Sequence, residues 1–320
     1  MPSLITHYEF SKQNFPTHKK MFYLGSQGPD PFFYYGYTNP FKKNIKDVRK
    51  YGTYLHDMDS FISFSFLLDY VKQVEDAEDE EILLSFVKGL MSHYVLDRTC
   101  HPYIYFKTGF PLGGTIYSFY HSLLETDIDV LIEDNFNDKP SYKEILKVDN
   151  RELKLVSKMM YELAKFLNIK NITEKSYYQS VKTMLTVNRC INSKLFGFRK
   201  FIFSHFMKTS VINAMSHPKL SKLNQKIDYL NLEEKEWRNF VTGEIVGKDT
   251  FFDLIDKAYV DLAHALQTID DIYYNDLDKE PLNEFIGQVN HNGIKPGEEM
   301  KYFSLIFNAK KGILGWKMYM

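Results

Sequence analysis

Helical spacing of apolar side chains is the feature that most constrains the fold of this chain. Ile82, Leu83, Phe86, Leu90 and Tyr94 recur at helical spacing, which places them on one face of an α-helix. The period-two alternation of a half-buried β-strand is scarce. We therefore predict a mostly α fold, built as a single-domain multi-helix bundle. Further helices are predicted near residues 60–75, 115–133, 174–190, 196–215 and 250–270.

Composition and charge exclude several classes of protein. Of the 320 residues, 44% are hydrophobic and 25% are charged, which is typical of a globular protein and not of a disordered or fibrous one. Forty basic against forty-one acidic side chains leave a formal charge of -1, so no global field attracts nucleic acid or an anionic bilayer. Two cysteines, Cys100 and Cys190, are too few for a disulfide framework and indicate a reducing compartment. Because the opening residues lack the apolar core of a signal peptide, we expect a cytoplasmic protein without a transmembrane segment.

Two histidine–carboxylate pairs with a spacing of four residues are the strongest chemical signal. His93 precedes Asp97, and His121 precedes Glu125, each within a predicted helix. Residues four apart lie one turn above each other on the same helical face, so each pair can bind one metal ion. A single pair of this kind is more often a surface pair or a core histidine with a partner. Two pairs together favour a metal site.

Four more residues join these pairs as candidate metal ligands. They are His7, Asp30, His56 and His101. Because the residue before proline avoids the α region, we expect the helix that carries His93 to end at His101, before Pro102. Imidazoles and carboxylates without a cysteine suit zinc, although iron, cobalt and manganese accept the same ligands. The candidates exceed what one ion uses, so the pattern predicts two or three zinc ions.

Segments in a fixed order resemble the bacterial zinc-dependent phospholipase C family, which is related to the fungal zinc nucleases. They are MPSLITHYEF, YLGSQGPDPFFYYG, the segment around His56, SHYVLDRTCHPYIYFKTG and YHSLLETDID. This pattern spans residues 1 to about 130, and DYLNLEEKEWRNFVTGE near 228–244 is similar to the later part of such chains. The resemblance implies an all-helical enzyme with a trinuclear zinc site. The chain departs from the family in lacking its N-terminal tryptophan and in a shorter gap between Asp97 and His101.

The resemblance also implies how the ligands are shared among the ions. One zinc is then held by Asp30, His56, His93 and Asp97, with Asp97 bridging to another ion. A second zinc is held by His101, His121 and Glu125. The third is held by a histidine near the start, matched by His7, together with the amino group and carbonyl of the mature first residue. Removal of Met1 makes Pro2 that first residue, five residues before His7.

The aromatic run after Asp30 is a candidate substrate site. Phe32, Phe33 and Tyr34 can form a pocket wall, or a cage for a quaternary ammonium group by cation–π attraction. Core packing is the alternative and is somewhat favoured. The 26 Phe and 23 Tyr of the chain suit either a bulky core or an aromatic-lined pocket.

The predicted function is zinc-dependent hydrolysis of a phosphate ester. Zinc lowers the pKa of bound water towards about 7, which supplies hydroxide for in-line attack on phosphorus. Asp30 is the predicted catalytic residue, acting as a ligand, as a general base that orients the water, or as both. The favoured substrates are a phospholipid head group or a soluble phosphodiester, and single-stranded nucleic acid is less favoured.

Two other functions stay open at this point. His56 and Asp57 form a His-Asp dyad of the kind used by an HD-type metal-dependent phosphohydrolase, although this assignment leaves His121 and Glu125 without a role. The non-enzymatic alternative is a helical scaffold or binding protein with a structural metal site.

The predicted organisation has two parts. Residues 1–277 form the helical domain of the phospholipase C type, and residues 278–320 form a C-terminal extension packed on it. The extension suits a short helix or a small hairpin, and no chemistry is assigned to it.

Overall fold

The computed structural model describes residues 4–12, 18–109, 115–136, 140–192 and 216–307, and these residues are mostly helical, as predicted. The elements are α1 Leu4–Ser11, α2 Lys19–Gly25, a 3₁₀ helix Asp30–Tyr34, α3 Ile45–Asp57, α4 Ser60–Lys72, α5 Ala77–Thr108, α6 Thr115–Asn135, α7 Tyr142–Leu146, α8 Asn150–Phe166, α9 Ser176–Ile191, a 3₁₀ helix Leu220–Lys222, β1 Trp237–Arg238, β2 Ile245–Gly247, α10 Phe251–Tyr274 and α11 Glu280–Ile286. The helix predicted over 196–215 lies outside the described residues. The other four predicted helices are confirmed, with small differences at their ends.

The longest helix, α5, forms the centre of the bundle. Its 32 residues begin after Asp76, whose side chain accepts a hydrogen bond from the Asp79 amide. The helix ends at Gly109, which adopts the left-handed conformation with φ 64°. Helices α1, α2, α4, α6, α8 and α10 all pack against it. The central position of α5 places its polar side chains in the interior, where they need partners.

The prediction that this helix ends at His101 is wrong, because α5 continues through Pro102 to Thr108. Pro102 cannot donate a hydrogen bond to the Arg98 carbonyl, which costs about 3 kcal/mol in a helix interior. The apolar side chains that follow, such as Ile104 and Phe106, are buried. Each contributes about 1.5–3 kcal/mol relative to an exposed position, so burial outweighs the lost bond.

Helices α2 and α5 approach each other closely because a glycine lies on each side of their contact. A Cβ atom at Gly25 or at Gly89 would lie 2.3 or 2.2 Å from a carbonyl oxygen of the other helix. The chain after α2 is equally close, since a Cβ atom at Gly28 would lie 2.2 Å from the His93 ring. This approach brings Asp30 against the face of α5 that carries His93.

The strands and the last helices complete the described fold. Strands β1 and β2 are antiparallel, pairing Trp237 with Gly247 and Arg238 with Ile245. Helix α10 packs on α5, and α11, the short helix beyond residue 277, packs on α4 and α10. The division of the chain at residue 277 stays a prediction. Among the described residues, no helix is both long enough and apolar enough to cross a membrane.

Candidate metal centre

The structure brings all eight predicted side-chain ligands together inside the bundle. Their ligand atoms form three groups, and the atoms within each group lie within 4.8 Å of one another. The groups are His7, His93 and Asp97; Asp30, His56 and His93; and His101, His121 and Glu125. Pro2, the remaining predicted ligand, lies outside the described residues. Such proximity is what a shared metal centre requires.

Five separate segments supply these side chains. Helix α5 carries three ligands spaced four residues apart on one face, and α6 carries two. The others come from α1, from the start of the 3₁₀ helix Asp30–Tyr34, and from the last turn of α3. Because the segments are far apart in the chain, their convergence depends on the packing around α5.

Asp97 lies at the centre of the cluster. Its Oδ1 is 3.1 Å from His7 Nε2 and 3.7 Å from His101 Nε2. Its Oδ2 is 3.0 Å from His93 Nε2 and 4.0 Å from His56 Nε2. The two oxygens therefore face different histidines, which is the arrangement that a bridging carboxylate needs.

The other two carboxylates, Asp30 and Glu125, face different histidines of the cluster. Asp30 Oδ1 is 3.1 Å from His56 Nε2. Glu125 Oε1 is 3.2 Å from His121 Nε2 and 3.5 Å from His101 Nε2. Asp30 and Asp97 pair with histidines, and no lysine or arginine pairs with either of them among the described residues. Within the described residues, Asp30 and Asp97 therefore face imidazoles and not a permanently charged side chain.

Backbone carbonyls orient three of the imidazoles. The Nδ1 atoms lie 2.8 Å from the Gly52 oxygen for His56, 3.1 Å from the Ser26 oxygen for His93, and 2.7 Å from the His291 oxygen for His101. A carbonyl oxygen can only accept, so each Nδ1 carries the hydrogen. In the neutral imidazole, Nε2 then presents a lone pair to a carboxylate oxygen. Two acceptors facing each other repel unless a proton or a metal cation lies between them.

Several buried polar atoms of the cluster also have no hydrogen-bond partner among the described residues. They are His7 Nδ1, Asp30 Oδ2 and His93 Nε2, the last in spite of the nearby Asp97 oxygen. An unsatisfied buried polar atom costs about 1–3 kcal/mol. Imidazole nitrogens and carboxylate oxygens are the ligands that zinc accepts, and a carbonyl on the far nitrogen is the usual support for a ligating histidine. The residues present therefore fit zinc.

The charges of the cluster act strongly on one another. Burial alone would raise the pKa of Asp97, but the imidazoles of His101, His93 and His7 hold it well below its usual range. Burial opposes a charge on His101, yet the carboxylates of Asp97 and Glu125 outweigh it and raise the pKa of this histidine to about 9. Without metal, Asp97 is thus ionised and His101 is protonated at neutral pH, so a zinc ion bound by His101 would replace a proton.

Asp129, one helical turn beyond Glu125 on α6, belongs to none of the three ligand groups and supports the cluster instead. Its carboxylate accepts hydrogen bonds from the backbone amides of Ile5 and Thr6 at 3.1 and 2.8 Å, and from the Thr6 hydroxyl at 2.7 Å. On the same carboxylate, the His217 Nε2 lies 3.0 Å away. These amides belong to the first turn of α1, so Asp129 caps this helix and holds His7 beside the cluster.

His291 is a residue beside the cluster that sequence reasoning missed. It is 5% exposed, and its ring centroid lies 5.1 Å from that of His56 and 5.4 Å from that of His93. A single histidine in an irregular segment has no periodic spacing to a second ligand. No pattern in the sequence therefore points to its position.

The three residues of the aromatic run occupy different environments. Phe32 is fully buried, with ring centroids 4.9 and 5.2 Å from Tyr51 and Tyr177. Tyr34 is also buried, and burial raises the pKa of its hydroxyl. Phe33 is half-buried, and its ring centroid lies 5.4 Å from that of His56. Phe33 is thus the member of the run that borders the cluster.

The His56-Asp57 dyad has a different arrangement from the one an HD-type site needs. Asp57 is exposed and belongs to none of the three ligand groups. Its Oδ1 instead accepts a hydrogen bond of 2.9 Å from Asn292 Nδ2. His121 and Glu125, which the dyad leaves without a role, lie inside the cluster. The geometry gives the HD-type alternative no support.

Comparison with known proteins identifies the family. A family model described as zinc dependent phospholipase C matches residues 4–205, which is more than half of the chain and includes all eight side-chain ligands. The match ends before the segment 228–244. No curated protein and no solved structure gives a significant match. The chain belongs to the zinc dependent phospholipase C family.

Proposed function

We propose that this protein is a phosphodiesterase that uses two or three zinc ions held by the three ligand groups. The observation that carries the proposal is the position of Asp97, with histidines from three helices within 4.0 Å of its carboxylate oxygens. Membership of a zinc-dependent family of phosphoester hydrolases supports it. A structural metal site needs four ligands at most, so the eight clustered side chains favour a multinuclear catalytic site.

The residues divide among the ions by position. Asp30, His56, His93 and Asp97 would hold one zinc, and His101, His121 and Glu125 a second. His7 and Asp97, with the Pro2 terminus, would hold a third. Zinc bound there supplies a Lewis acid for the phosphoryl oxygens and lowers the pKa of bound water.

Asp30 is the residue that we propose as the general base. One of its oxygens faces His56 at 3.1 Å, and the other, Oδ2, has no hydrogen-bond partner among the described residues. The second oxygen can accept a hydrogen bond from the attacking water and orient it towards phosphorus. Its backbone amide donates to the Gln27 carbonyl at 3.2 Å, which fixes the start of the 3₁₀ helix and hence the carboxylate.

The charge of the loaded centre favours an anionic substrate. Two zinc ions bring four positive charges against the three carboxylates of Asp30, Asp97 and Glu125, so the centre is net positive and attracts a phosphate group. Phe33, beside His56, is placed to contact the group that the phosphate carries. We propose a phospholipid head group or a soluble phosphodiester as substrate, in the cytoplasm, and rank nucleic acid lower.

The test is turnover of a small panel of chromogenic substrates by the purified full-length protein. The panel is bis(p-nitrophenyl) phosphate, p-nitrophenyl phosphorylcholine and p-nitrophenyl phosphate. We expect diester hydrolysis near neutral pH that a chelator abolishes and zinc restores. Asp30→Asn should lower kcat by about 10²–10⁴, as expected for loss of a general base. The matched variant Asp57→Asn keeps an oxygen that can accept the Asn292 hydrogen bond, so it should retain metal and rate. Turnover that is indifferent to chelation rejects the proposal, and equal damage by the two variants favours the HD-type mechanism.

A further inference from the structure

We propose that the turn Asn290–Ile294, here called the clasp, positions His101 and so sets the zinc affinity of the group formed by His101, His121 and Glu125. The clasp lies beyond the part of the chain that the family model matches. The inference rests on the proposed zinc centre but not on phosphoester hydrolysis.

The clasp acts on His101 through a backbone carbonyl. The His291 oxygen accepts the hydrogen bond from His101 Nδ1 at 2.7 Å, the shortest of the three such contacts in the cluster. This contact fixes the tautomer, so that His101 Nε2 faces Asp97 and Glu125. Because α6 supplies His121 and Glu125 while α5 supplies His101, the orientation of this ring decides whether the three ligand atoms converge.

The clasp also binds the end of α3, next to His56. The His291 amide donates to the His56 carbonyl at 3.2 Å. Asn290 Nδ2 donates to the Asp57 carbonyl at 3.2 Å, and Asn292 Nδ2 donates to Asp57 Oδ1 at 2.9 Å. The last carbonyls of a helix have no partner within it, so these bonds both satisfy them and fix where α3 ends. One turn of chain therefore connects two ligands of different groups.

Internal hydrogen bonds make the clasp a defined structure. The Asn290 amide donates to the Ile294 carbonyl at 2.9 Å, and the Gly293 amide donates to the Asn290 carbonyl at 3.0 Å. The Asn290 side-chain oxygen accepts from the Asn292 amide at 2.9 Å. The Tyr105 hydroxyl donates to Asn292 Oδ1 at 2.6 Å, and its ring stacks on His101 with centroids 4.9 Å apart. The clasp thus contacts His101 at Nδ1 and also binds the Tyr105 side chain that stacks on the His101 ring.

Gly293 is the position where the clasp meets α5. Its φ of 74° disfavours any side chain, and a Cβ atom there would lie 2.5 Å from the Arg98 carbonyl oxygen and 2.7 Å from Pro102 Cγ. The Arg98 carbonyl is the one to which Pro102 cannot donate a hydrogen bond. The clasp therefore packs where this helical hydrogen bond is missing from α5. A side chain at 293 would push the clasp away from His101.

The ring of His291 gives a second, independent indication that the clasp belongs to the cluster. It lies against His56 and His93, its Nδ1 is 3.4 Å from the Ser60 hydroxyl, and its Nε2 has no hydrogen-bond partner among the described residues. Natural proteins seldom leave a buried imidazole nitrogen without a hydrogen bond unless it binds an ion or takes part in function. The clasp therefore places a buried imidazole beside two candidate ligands, one from α3 and one from α5.

The experiment compares Gly293→Ala with Gly297→Ala in the full-length protein. Gly297 has a similar φ of 89°, but a Cβ atom there meets nothing within 4 Å, so this variant carries the same type of backbone strain without the displacement. Zinc affinity is measured against a chromophoric chelator, and cobalt substitution reports the coordination by visible absorption. We expect Gly293→Ala to lower the affinity for one zinc ion by about 10–100-fold and to alter the cobalt absorption. Gly297→Ala should match the wild type in both measurements.

A second variant covers the case in which Gly293→Ala does not fold. Asn292→Ala keeps the backbone conformation and removes the side-chain contacts to Asp57 and Tyr105. It should therefore lower the affinity for the same zinc ion by a smaller factor. Folded variants that bind every ion with wild-type affinity overturn the inference, even if the metal-free protein melts at a lower temperature. A wild-type protein that binds no zinc overturns the proposed function together with it, whereas a zinc-binding wild type with unaffected variants overturns the inference alone.

Discussion

Replacing Asp97 with asparagine should weaken zinc binding more than any other single ligand substitution. The carboxylate is buried, and its two oxygens lie 3.0–4.0 Å from four imidazole nitrogens. The amide has nearly the same size, but it carries no charge and has one oxygen in place of two. If the carboxylate bridges, its replacement therefore weakens the binding of two ions at once.

The magnitude follows from the cost of removing one partner of a buried ionic pair, which is about 3–5 kcal/mol. At about 1.4 kcal/mol per factor of ten, this is a loss of affinity of roughly a hundredfold to a few thousandfold. Glu125→Gln is the comparison, because Glu125 faces two histidines of a single group at 3.2 and 3.5 Å. Asp261→Asn is the control, because its carboxylate is 45% exposed and pairs with Arg98 outside the cluster.

The assay is competition for zinc between a chelator of known affinity and the metal-free proteins, followed by elemental analysis after dialysis. We expect Asp97→Asn to lose two ions, Glu125→Gln to lose one, and Asp261→Asn to lose none. Equal loss in Asp97→Asn and Glu125→Gln would refute the bridging role of Asp97. Full retention of zinc by Asp97→Asn would refute its role as a ligand.

Three further predictions concern protons, the cap of α1 and the N-terminus. Zinc must displace the proton of His101, whose pKa is about 9 without metal, so calorimetry in buffers of different ionisation enthalpy should show release of about one proton at pH 7. The apparent zinc affinity should then rise with pH and level off above about 9, and an affinity independent of pH contradicts this. Asp129→Asn removes the charge that caps α1, so it should cost about 0.5–2 kcal/mol of stability, measured by thermal melting. The same variant should lower the affinity for the zinc ion near His7, measured by zinc titration. An uncleaved N-terminal tag should cost one zinc if Pro2 is a ligand, and intact mass showing retained Met1 in a fully metallated, active protein counts against that assignment.

Local geometry alone predicts that the candidate ligands on each of α5 and α6 lie close together. On α5 and α6, a spacing of four residues fixes which side chains share a face, whatever the surrounding fold. His7, Asp30 and His56 have no such spacing, and they became candidates through residue type and through the order of segments shared with a family. Their approach to α5 depends on contacts such as Gly25 with Gly89, which no local pattern reveals.

The errors and omissions have a common cause in tertiary packing. Pro102 should end a helix by local sterics, but the burial of the following side chains outweighs its cost. The buried state of Phe32 and the half-buried state of Phe33 differ although the residues are adjacent and chemically identical. His291 reaches the cluster from an irregular turn nearly two hundred residues beyond His101, so its position follows from the fold and not from spacing.

The most direct test of the zinc centre is anomalous diffraction at the zinc absorption edge from crystals of the zinc-loaded protein. The account predicts two or three peaks per chain, one among Asp30, His56 and His93, one among His101, His121 and Glu125, and a third, where present, beside His7. Each peak should lie about 2.0–2.2 Å from imidazole nitrogens and carboxylate oxygens. A single peak, or peaks away from Asp97 and its histidines, would contradict the multinuclear centre on which the proposed function depends.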